Sequence, residues 1–496
     1  MSRTFLLVSS VVLAVMVCLA VVLSTESYAQ ESSLLIRLDV PTTESLTAPA
    51  KPNIVFILTD DMRKDDLKYM PKTRNLLRER GKYFENAFVS NPICCPSRAT
   101  IMRGQYSHNT GVRSNGGSNG GLQAYKDHGG EQDNVATRLK AAGYRTGLFG
   151  KYLNEYSATT GTPLGWDRWF AHVNGIDYYD YQINDDGPTR HYGSTSADYE
   201  TDVIANHAKT FIGTSASAGV PFFAYVAPKA PHKPATPAPR DLHTYDGLKG
   251  PRLPSFNEVD VSDKPPWIRS LPRLTADRIR EMDNLSEKRA EALQAVDDLV
   301  AGVVGKLKNE GLLRNTYIFF TSDNGFFRGE HGITTEKYRP YEEDIRVPLL
   351  VRGPGIAAGS TTNKLALNTD YLPTFTEFAG TQMPPYVDGR SLKPLLDGSQ
   401  STWRNAILIE GPRYVRVPPY RAIRTLGVDT QRKYIEYVGS SVREMYYLGA
   451  DPYERFNKSV PPAGLASRLQ ALKTCRPEAT DTTNTTVACS VAENGP

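Results

Sequence analysis

No long run of one charge sign occurs in this 496-residue chain, and its overall charge is close to balanced. It has 58 Lys and Arg against 54 Asp and Glu, a net +4. A nucleic-acid partner is therefore not expected, and no basic stretch is dense enough to revive the idea. Runs of a single residue type and internal repeats are also missing. With 40% hydrophobic and 23% charged residues, the composition is that of a folded globular protein and not of a disordered one. After the N-terminal region, no stretch is apolar for long enough to span a bilayer, so no stable membrane partner is expected. The length exceeds what one minimal core needs and predicts a large domain with a smaller appended unit.

What is present begins at the N-terminus. Arg3 precedes a mostly apolar run from Phe5 to Leu23, and Ser27-Tyr28-Ala29 places small residues at both key positions of a cleavage site. Residues 1–29 are read as a secretory signal cut after Ala29. An uncleaved anchor is the competing reading, because the run is nearly long enough to cross a membrane. Either way the remainder is exported, to a secreted or periplasmic (extracytoplasmic) location. Residues 30–50, polar and rich in Ser and Thr, read as a linker.

Export gives the few cysteines meaning. Cys475 and Cys489 lie close together in a Thr-rich tail and are expected to pair, as an oxidising compartment permits. Cys94 and Cys95 are left over. Neighbouring cysteines bridge each other only with strain, so two spare thiols in an exported protein call for a reason.

Short apolar runs alternate with helical patterns, predicting an α/β domain on a mostly parallel sheet over residues 51–400. Continuous apolar strands are expected at 53–58, 221–226, 316–320 and 347–351, with a weaker one at 144–149. A long helix is expected over 277–308, closed by Gly311. The proline-dense segment 227–254 and the Gly/Ser/Asn-rich segment 114–130 read as loops. Beyond residue 400 the pattern becomes Arg/Tyr-rich and alternating, predicting a small antiparallel sheet with a helix near 465–472 in a C-terminal subdomain, 401–496. Residues 403–433 carry seven basic residues and two acidic ones. An anionic polysaccharide could be drawn there, but a solvated sheet face is the expected reading.

Chemistry concentrates just beyond the strands. The first leads to Asp60-Asp61, the 144–149 strand to Gly150-Lys151, the 221–226 strand to Ala230-Pro231-His232, and the 316–320 strand to Ser322-Asp323-Asn324-Gly325. Residues beyond the carboxyl ends of parallel strands share one edge of the sheet, where ligands bind. Asp60, Asp61, Asp323 and Asn324 offer only hard oxygen donors, which suit Ca2+ or Mg2+. A cation also accounts for carboxylates gathered so closely. Cys94-Cys95-Pro96-Ser97-Arg98 is the sharpest signal. Pro96 fits a first helical turn, placing Cys94 near a helix N-terminus with Arg98 one turn on, a corner suited to oxyanions. A thiolate is a soft ligand beside a hard cation, so the working group there is expected not to be sulfur.

The pattern Cys-x-Pro-Ser-Arg followed by Gly104 resembles the maturation signature of the type I, formylglycine-dependent sulfatases. The likeness runs from about Pro52 to Asn457 and takes in the strand-end motifs above, Gly329-Glu-His-Gly332 with Lys337, and Asp451-Pro-Tyr-Glu454. Finer wording, including Gly150-Lys-Tyr-Leu-Asn-Glu-Tyr156 and Gly165-Trp-Asp-Arg-Trp169, is similar to N-acetylglucosamine-6-sulfatases. The resemblance implies an alkaline-phosphatase-like fold and hydrolysis of sulfate esters, with sulfated sugars such as N-acetylglucosamine 6-sulfate as substrates. It implies Ca2+ (Mg2+ possible) on Asp60, Asp61, Asp323, Asn324 and Cys94, with Cys94 converted to formylglycine by a maturation enzyme. The hydrated aldehyde attacks sulfur, Arg98, Lys151 and Lys337 bind sulfate oxygens, and His232 or Lys337 protonates the leaving alcohol.

One departure stands out. Many sulfatases carry Lys-x-His where this chain has Lys151-Tyr152-Leu153, so the base for sulfate elimination is open, with Asn154 or His108 as substitutes. Taken singly, Lys151 and Lys337 are ordinary surface lysines, His232 is a structural histidine and His331 orients its loop; only their joint appearance lifts them. The alternatives are an arylsulfatase or phosphoester hydrolase on the same fold, or a glycan-binding protein with unmodified Cys94.

Overall fold

Alternation along the first strand decides how the layers form. In β1 (Asn53–Thr59), Ile54, Phe56 and Leu58 point to one face of the sheet and Val55 and Ile57 to the other, and all are fully buried. A strand covered on both faces must be apolar throughout, as this one is. The computed structural model describes residues 51–494 apart from 174, 176, 400–401, 428–430 and 478–486. The expected signal and linker, 1–50, lie outside the described residues. No helix among the described residues is long and apolar enough to cross a membrane.

Nine further strands join β1: β2 (Lys82–Phe88), β3 (Arg145–Gly150), β4 (Arg168–His172), β5 (Tyr181–Asp185), β6 (Thr189–Tyr192), β7 (Phe222–Ala227), β8 (Thr316–Ser322), β9 (Leu349–Arg352) and β10 (Ser360–Leu367). Their order is β10-β2-β9-β8-β1-β7-β3-β4-β5-β6. β5 and β9 run against the other strands of this sheet. The sheet is thus mostly parallel, as expected, although the strand read at 347–351 is one of the reversed pair. It starts at Leu349, just after Pro348, which cannot donate to the ladder.

Helices cover both faces. The Ile54/Phe56/Leu58 face packs against α1 (Cys94–Arg103) and α5 (Tyr371–Phe378). The Val55/Ile57 face packs against α3 (Glu200–Ser217) and α4 (Ala276–Asn309). In α4 the residues Met282, Ser286, Arg289, Leu293, Val296, Val300 and Val303 recur at three- and four-residue steps and are all buried. The segment read as a loop at 114–130 contains a short helix, α2 (Gly121–Asp127). Leu122, Ala124 and Tyr125 are buried in the core there, and their burial outweighs the local glycine content.

A separate four-stranded antiparallel sheet follows: β11 (Ala406–Gly411), β12 (Tyr420–Thr425), β13 (Arg432–Tyr437) and β14 (Arg443–Tyr447), in that order. α6 (Leu465–Thr474) packs on it through Leu465, Leu469 and Leu472. Cys475 and Cys489 are disulfide-bonded. The expectation of a solvated basic face is corrected. Arg404 pairs with Asp370 and Glu493, Arg421 with Glu410, and Lys433 with Glu342 and Glu454. Arg404, Arg424 and Lys433 are buried, so much of this charge is neutralised inside the fold.

Candidate active site

Strand register brings the motifs together. Thr59 lies beside Ser322, Ile57 beside Val226, and Gly150 beside Ala227, so β8, β1, β7 and β3 end side by side. Asp60 and Asp61 follow β1, Asp323 and Asn324 follow β8, Lys151 follows β3, and His232 follows β7 across a loop. The turns are tied to one another: Asp61 N–H donates to Asp323 Oδ1 (3.1 Å), Asp323 N–H to the Thr59 carbonyl (3.1 Å), and Lys151 N–H to the Ala227 carbonyl (2.8 Å).

Cys94 opens α1, after Ile93 in extended conformation. Its Sγ lies 3.5 Å from Asp60 Oδ1 and 4.0 Å from Asp61 Oδ1. Lys337 Nζ donates to Cys94 Sγ (2.7 Å) and to Asp61 Oδ1 (2.5 Å), and Lys151 Nζ donates to Asp60 Oδ2. His232 Nε2 stands 3.6 Å from Asp61 Oδ2, while its Nδ1 is engaged with the Lys233 carbonyl at 2.8 Å. Ligating atoms of Asp60, Asp61, Cys94 and His232 all fall within 4.8 Å of one another.

The electrostatics follow from burial and charge. Burial alone would raise the Asp60 carboxyl, but Lys151, His232 and Arg98 hold it well below the carboxylate range. Asp61 is likewise lowered against its burial, chiefly by Lys337. Burial and the neighbouring Asp60 charge push the Cys94 thiol up to about 12. An unmodified thiol here stays protonated and is a weak nucleophile. Cys95 is different: it is buried in the core and does not line the cavity described below.

The donors fit a hard divalent cation. Asp60, Asp61 and Asp323 are all buried, and Asn324 Oδ1 is buried among them without a hydrogen-bond partner. Its Nδ2 donates to Asp61 Oδ1 (2.7 Å) and to the Gly325 carbonyl (2.8 Å). A set of carboxylate oxygens plus one free amide carbonyl is what a Ca2+ or Mg2+ site needs.

Above this floor lies a cavity of about 440 Å3, lined by Asp61, Cys94, Lys151, Asn154, His232 and Lys337 among others. It joins a position for a nucleophile to two ammonium groups and a histidine, an arrangement able to take a small anionic ester. Arg98 is not in the cavity wall. Its Nε donates to Asp323 Oδ2 (2.9 Å) and its Nη1 to the Lys151 carbonyl (2.9 Å), tying the turns together, while its Nη2 lies 3.8 Å from Asp60 Oδ2. Leu153 is buried in the core. Of its two candidate substitutes, Asn154 lines the cavity, whereas His108 is held elsewhere by Glu410 and the Cys475 carbonyl. His331 is buried on Glu258, away from the cavity.

Several site residues escaped the sequence reading. Arg289, fully buried on α4, donates to the Asp61 carbonyl (2.6 Å) and the Pro231 carbonyl (3.0 Å). Its signal was an arginine on the apolar stripe of a helix. Tyr338 and Tyr414 stack face to face with centroids 3.9 Å apart, and both line the cavity. Asn115 joins Tyr338 to α1: its Nδ2 donates to the Tyr338 hydroxyl (3.1 Å) and its Oδ1 accepts from Cys95 N–H (2.9 Å). Tyr338 has φ 79°, a left-handed backbone that a bulky side chain adopts only when held there. No local pattern announces these contacts.

The chain matches the family model described as "Sulfatase" over residues 52–381 and that described as "N-sulphoglucosamine sulphohydrolase, C-terminal" over 329–469. It is 35% identical to human N-acetylglucosamine-6-sulfatase over 471 residues, covering 86% of this chain and 85% of that protein. It is 36% identical over 409 residues to the Drosophila melanogaster extracellular sulfatase SULF-1 homolog, covering 81% of this chain but spanning only 36% of that longer relative. A solved structure described as in complex with its substrate D-glucosamine-2-N,6-O-disulfate aligns with a TM-score of 0.71 at 28% identity, covering 82% of this chain and 93% of the other. With the matched region enclosing every strand-end motif of the cavity, the chain belongs to the sulfatase family.

Proposed function

We propose that the protein hydrolyses sulfate esters of sugars, with a 6-O-sulfated N-acetylglucosamine unit as the favoured target. The observation that carries this reading is the position of Cys94 at the floor of the cavity, between the Asp60/Asp61 carboxylates and Lys337, with Lys151 and His232 on the same wall. The human relative's name and the substrate in the aligned structure both point to 6-sulfated glucosamine.

Asp60, Asp61, Asp323 and Asn324 would hold a Ca2+ or Mg2+ ion, which acidifies an oxygen nucleophile and shares the charge of the sulfate. Position 94, oxidised to formylglycine by a maturation enzyme, would offer oxygen in place of sulfur. The remaining work belongs to the chain. Lys151 and Lys337, buried but lining the cavity, take the sulfate oxygens and offset charge as the bond to the alcohol breaks. His232, with Nδ1 engaged by a carbonyl, presents Nε2 as the atom that carries a proton to the departing alkoxide. Arg98 fixes the Asp323 side chain and the Lys151 backbone. The exported location rests on the signal at residues 1–29 and on the extracellular relative. Residues 51–400 would then carry the chemistry, and 401–496 a subdomain lending one wall.

Mass spectrometry of the Cys94 peptide, from protein made in its native host, is the first test. An aldehyde is expected; a free thiol in protein from that host refutes the proposal and favours the glycan-binding reading. Rates on N-acetylglucosamine 6-sulfate and 6-phosphate form the second test. Faster phosphate cleavage would turn the assignment toward a phosphoester hydrolase, and cleavage of aryl sulfates alone toward an arylsulfatase.

A further inference from the structure

A second cavity, of about 540 Å3, shares no lining residue with the first and has no part in the chemistry above. Arg63 stands between them: it lines the second cavity, and its Nη1 donates to the carbonyl of Phe326, a residue of the first (3.0 Å). The second cavity gathers Lys64, Lys68, Arg74, Arg78 and Arg346 around Tyr83.

The charge in this cavity is unbalanced. Its acids are neutralised from within the fold: Asp65 by Arg63 (2.7 Å) and Arg328 (3.4 Å), Glu342 by Lys433 (3.0 Å) and Arg424 (3.5 Å). Glu343 is buried beside Glu330, and burial together with that neighbour raises it to about 7. The bases are not matched in this way. Among the described residues, Lys64, Lys68, Arg74 and Arg78 form no ion pair. Lys64 Nζ and Arg346 Nη2 donate to the same neutral acceptor, the Glu85 carbonyl, at 2.7 and 2.6 Å. Two cations therefore sit together on one oxygen, with Glu342, already shared, 3.8 Å from Arg346 and the Glu85 carboxylate as a second counter-charge near both. Burial and the Arg346 charge bring Lys64 down to about 8, as expected of a cation crowded by another. Lys64 and Arg78 also lie against the Tyr83 ring, at 5.6 and 4.7 Å from its centroid. A concave wall with an excess of positive charge draws an anion, and guanidinium groups match the geometry of sulfate oxygens.

We propose that this cavity is an anion-binding exosite that grips a sulfate group on a neighbouring unit of a sulfated sugar chain, while the Cys94 cavity works on another. The choice of a sugar as the ligand rests on the function proposed above; the charge imbalance does not. Pro452 and Tyr453 of the Asp451-Pro-Tyr-Glu454 turn form part of the exosite wall, which gives that motif a role besides the hydrogen bonds of Asp451 and Glu454.

The test uses the full chain carrying Cys94→Ala, so that no turnover intrudes, and measures binding of a size-defined, heparin-type sulfated hexasaccharide by titration calorimetry. Adding Lys64→Gln, Arg74→Gln and Arg78→Gln together should weaken binding about tenfold, from the loss of three charge contacts. The charge-preserving set Lys64→Arg, Arg74→Lys and Arg78→Lys should stay within about threefold of the parent, separating charge from damage to the fold. Binding by the glutamine set within about twofold of the parent overturns the proposal. Equal competition by single-stranded DNA of the same charge overturns the assignment to a sugar. Binding that is lost with the glutamine set, in a protein whose wild type leaves monosaccharide sulfates intact, keeps the exosite and rejects the proposed activity; the reverse pattern rejects the exosite alone.

Discussion

Replacing Arg289 by methionine tests whether the site is held from below by α4. The guanidinium is fully buried and donates to the carbonyls of Asp61 (2.6 Å) and Pro231 (3.0 Å), with Asp66 3.3 Å away. Asp66 keeps Arg328 at 2.8 Å, so the two carbonyls bear most of the loss. Leaving a buried carbonyl without its donor costs about 1–3 kcal/mol for each of the two. The damage should also reach function, because Asp61 has φ 66°, a backbone that persists only when its surroundings hold it. Released, its carboxylate shifts, and a displacement of about 1 Å at a reacting centre costs up to about 100-fold in rate. Urea unfolding followed by tryptophan fluorescence reads the first effect, and turnover of a sugar sulfate at temperatures where the variant is folded reads the second. An Arg289→Met protein with less than about 1 kcal/mol of lost stability and unchanged turnover would refute the bracing role.

Two further outcomes follow from the geometry. Tyr414→Ala removes the ring that holds Tyr338 at φ 79° beside Lys337, so kcat should fall about tenfold with KM little changed, and Tyr414→Phe should restore it, since the stack needs the ring alone; Phe behaving like Ala would contradict this. Burial would raise Glu410, but His108 at 3.1 Å and Arg421 bring it down to about 2, so its stabilising contribution is complete above the unfolded value of 4.5 and fades as pH falls from there toward 2. Wild type should therefore exceed Glu410→Gln in stability by on the order of 2 kcal/mol near pH 6, with the gap closing through that acid window in denaturation curves; a gap unaffected by pH contradicts it.

The strands and their terminal motifs were legible because two local signals coincide in them. An apolar run covered on both faces has no polar alternation to confuse it, and the residue after it must leave the sheet. Hence the runs at 53–58 and 316–320 led directly to Asp60 and Asp323. The placement of Arg98 was not legible: a helical arginine one turn from Cys94 can face either the cavity or the strand ends, and only the positions of Asp323 and the Lys151 carbonyl decide between them. The direction of β9 was hidden for a similar reason, since an apolar run carries no arrow. Tyr414 lies 76 positions from Tyr338, and nothing near either one records the other. The basic stretch at 403–433 misled because the sequence shows charges but not the inward carboxylates, Asp370, Glu493 and Glu454, that meet them.

The segment from Lys337 to Glu342 is pinned to the smaller sheet at three successive points: Tyr338 on Tyr414, the Tyr341 hydroxyl on Glu444 (2.7 Å), and Glu342 on Lys433. The lysine nearest Cys94 thus takes its footing from residues past position 400. A protein cut there would keep every oxygen donor and all four strand-end segments, yet the ammonium group beside the nucleophile would hang on an untethered strap. Changes in the β11–β12 connection can therefore retune the reaction without touching a residue of the larger sheet.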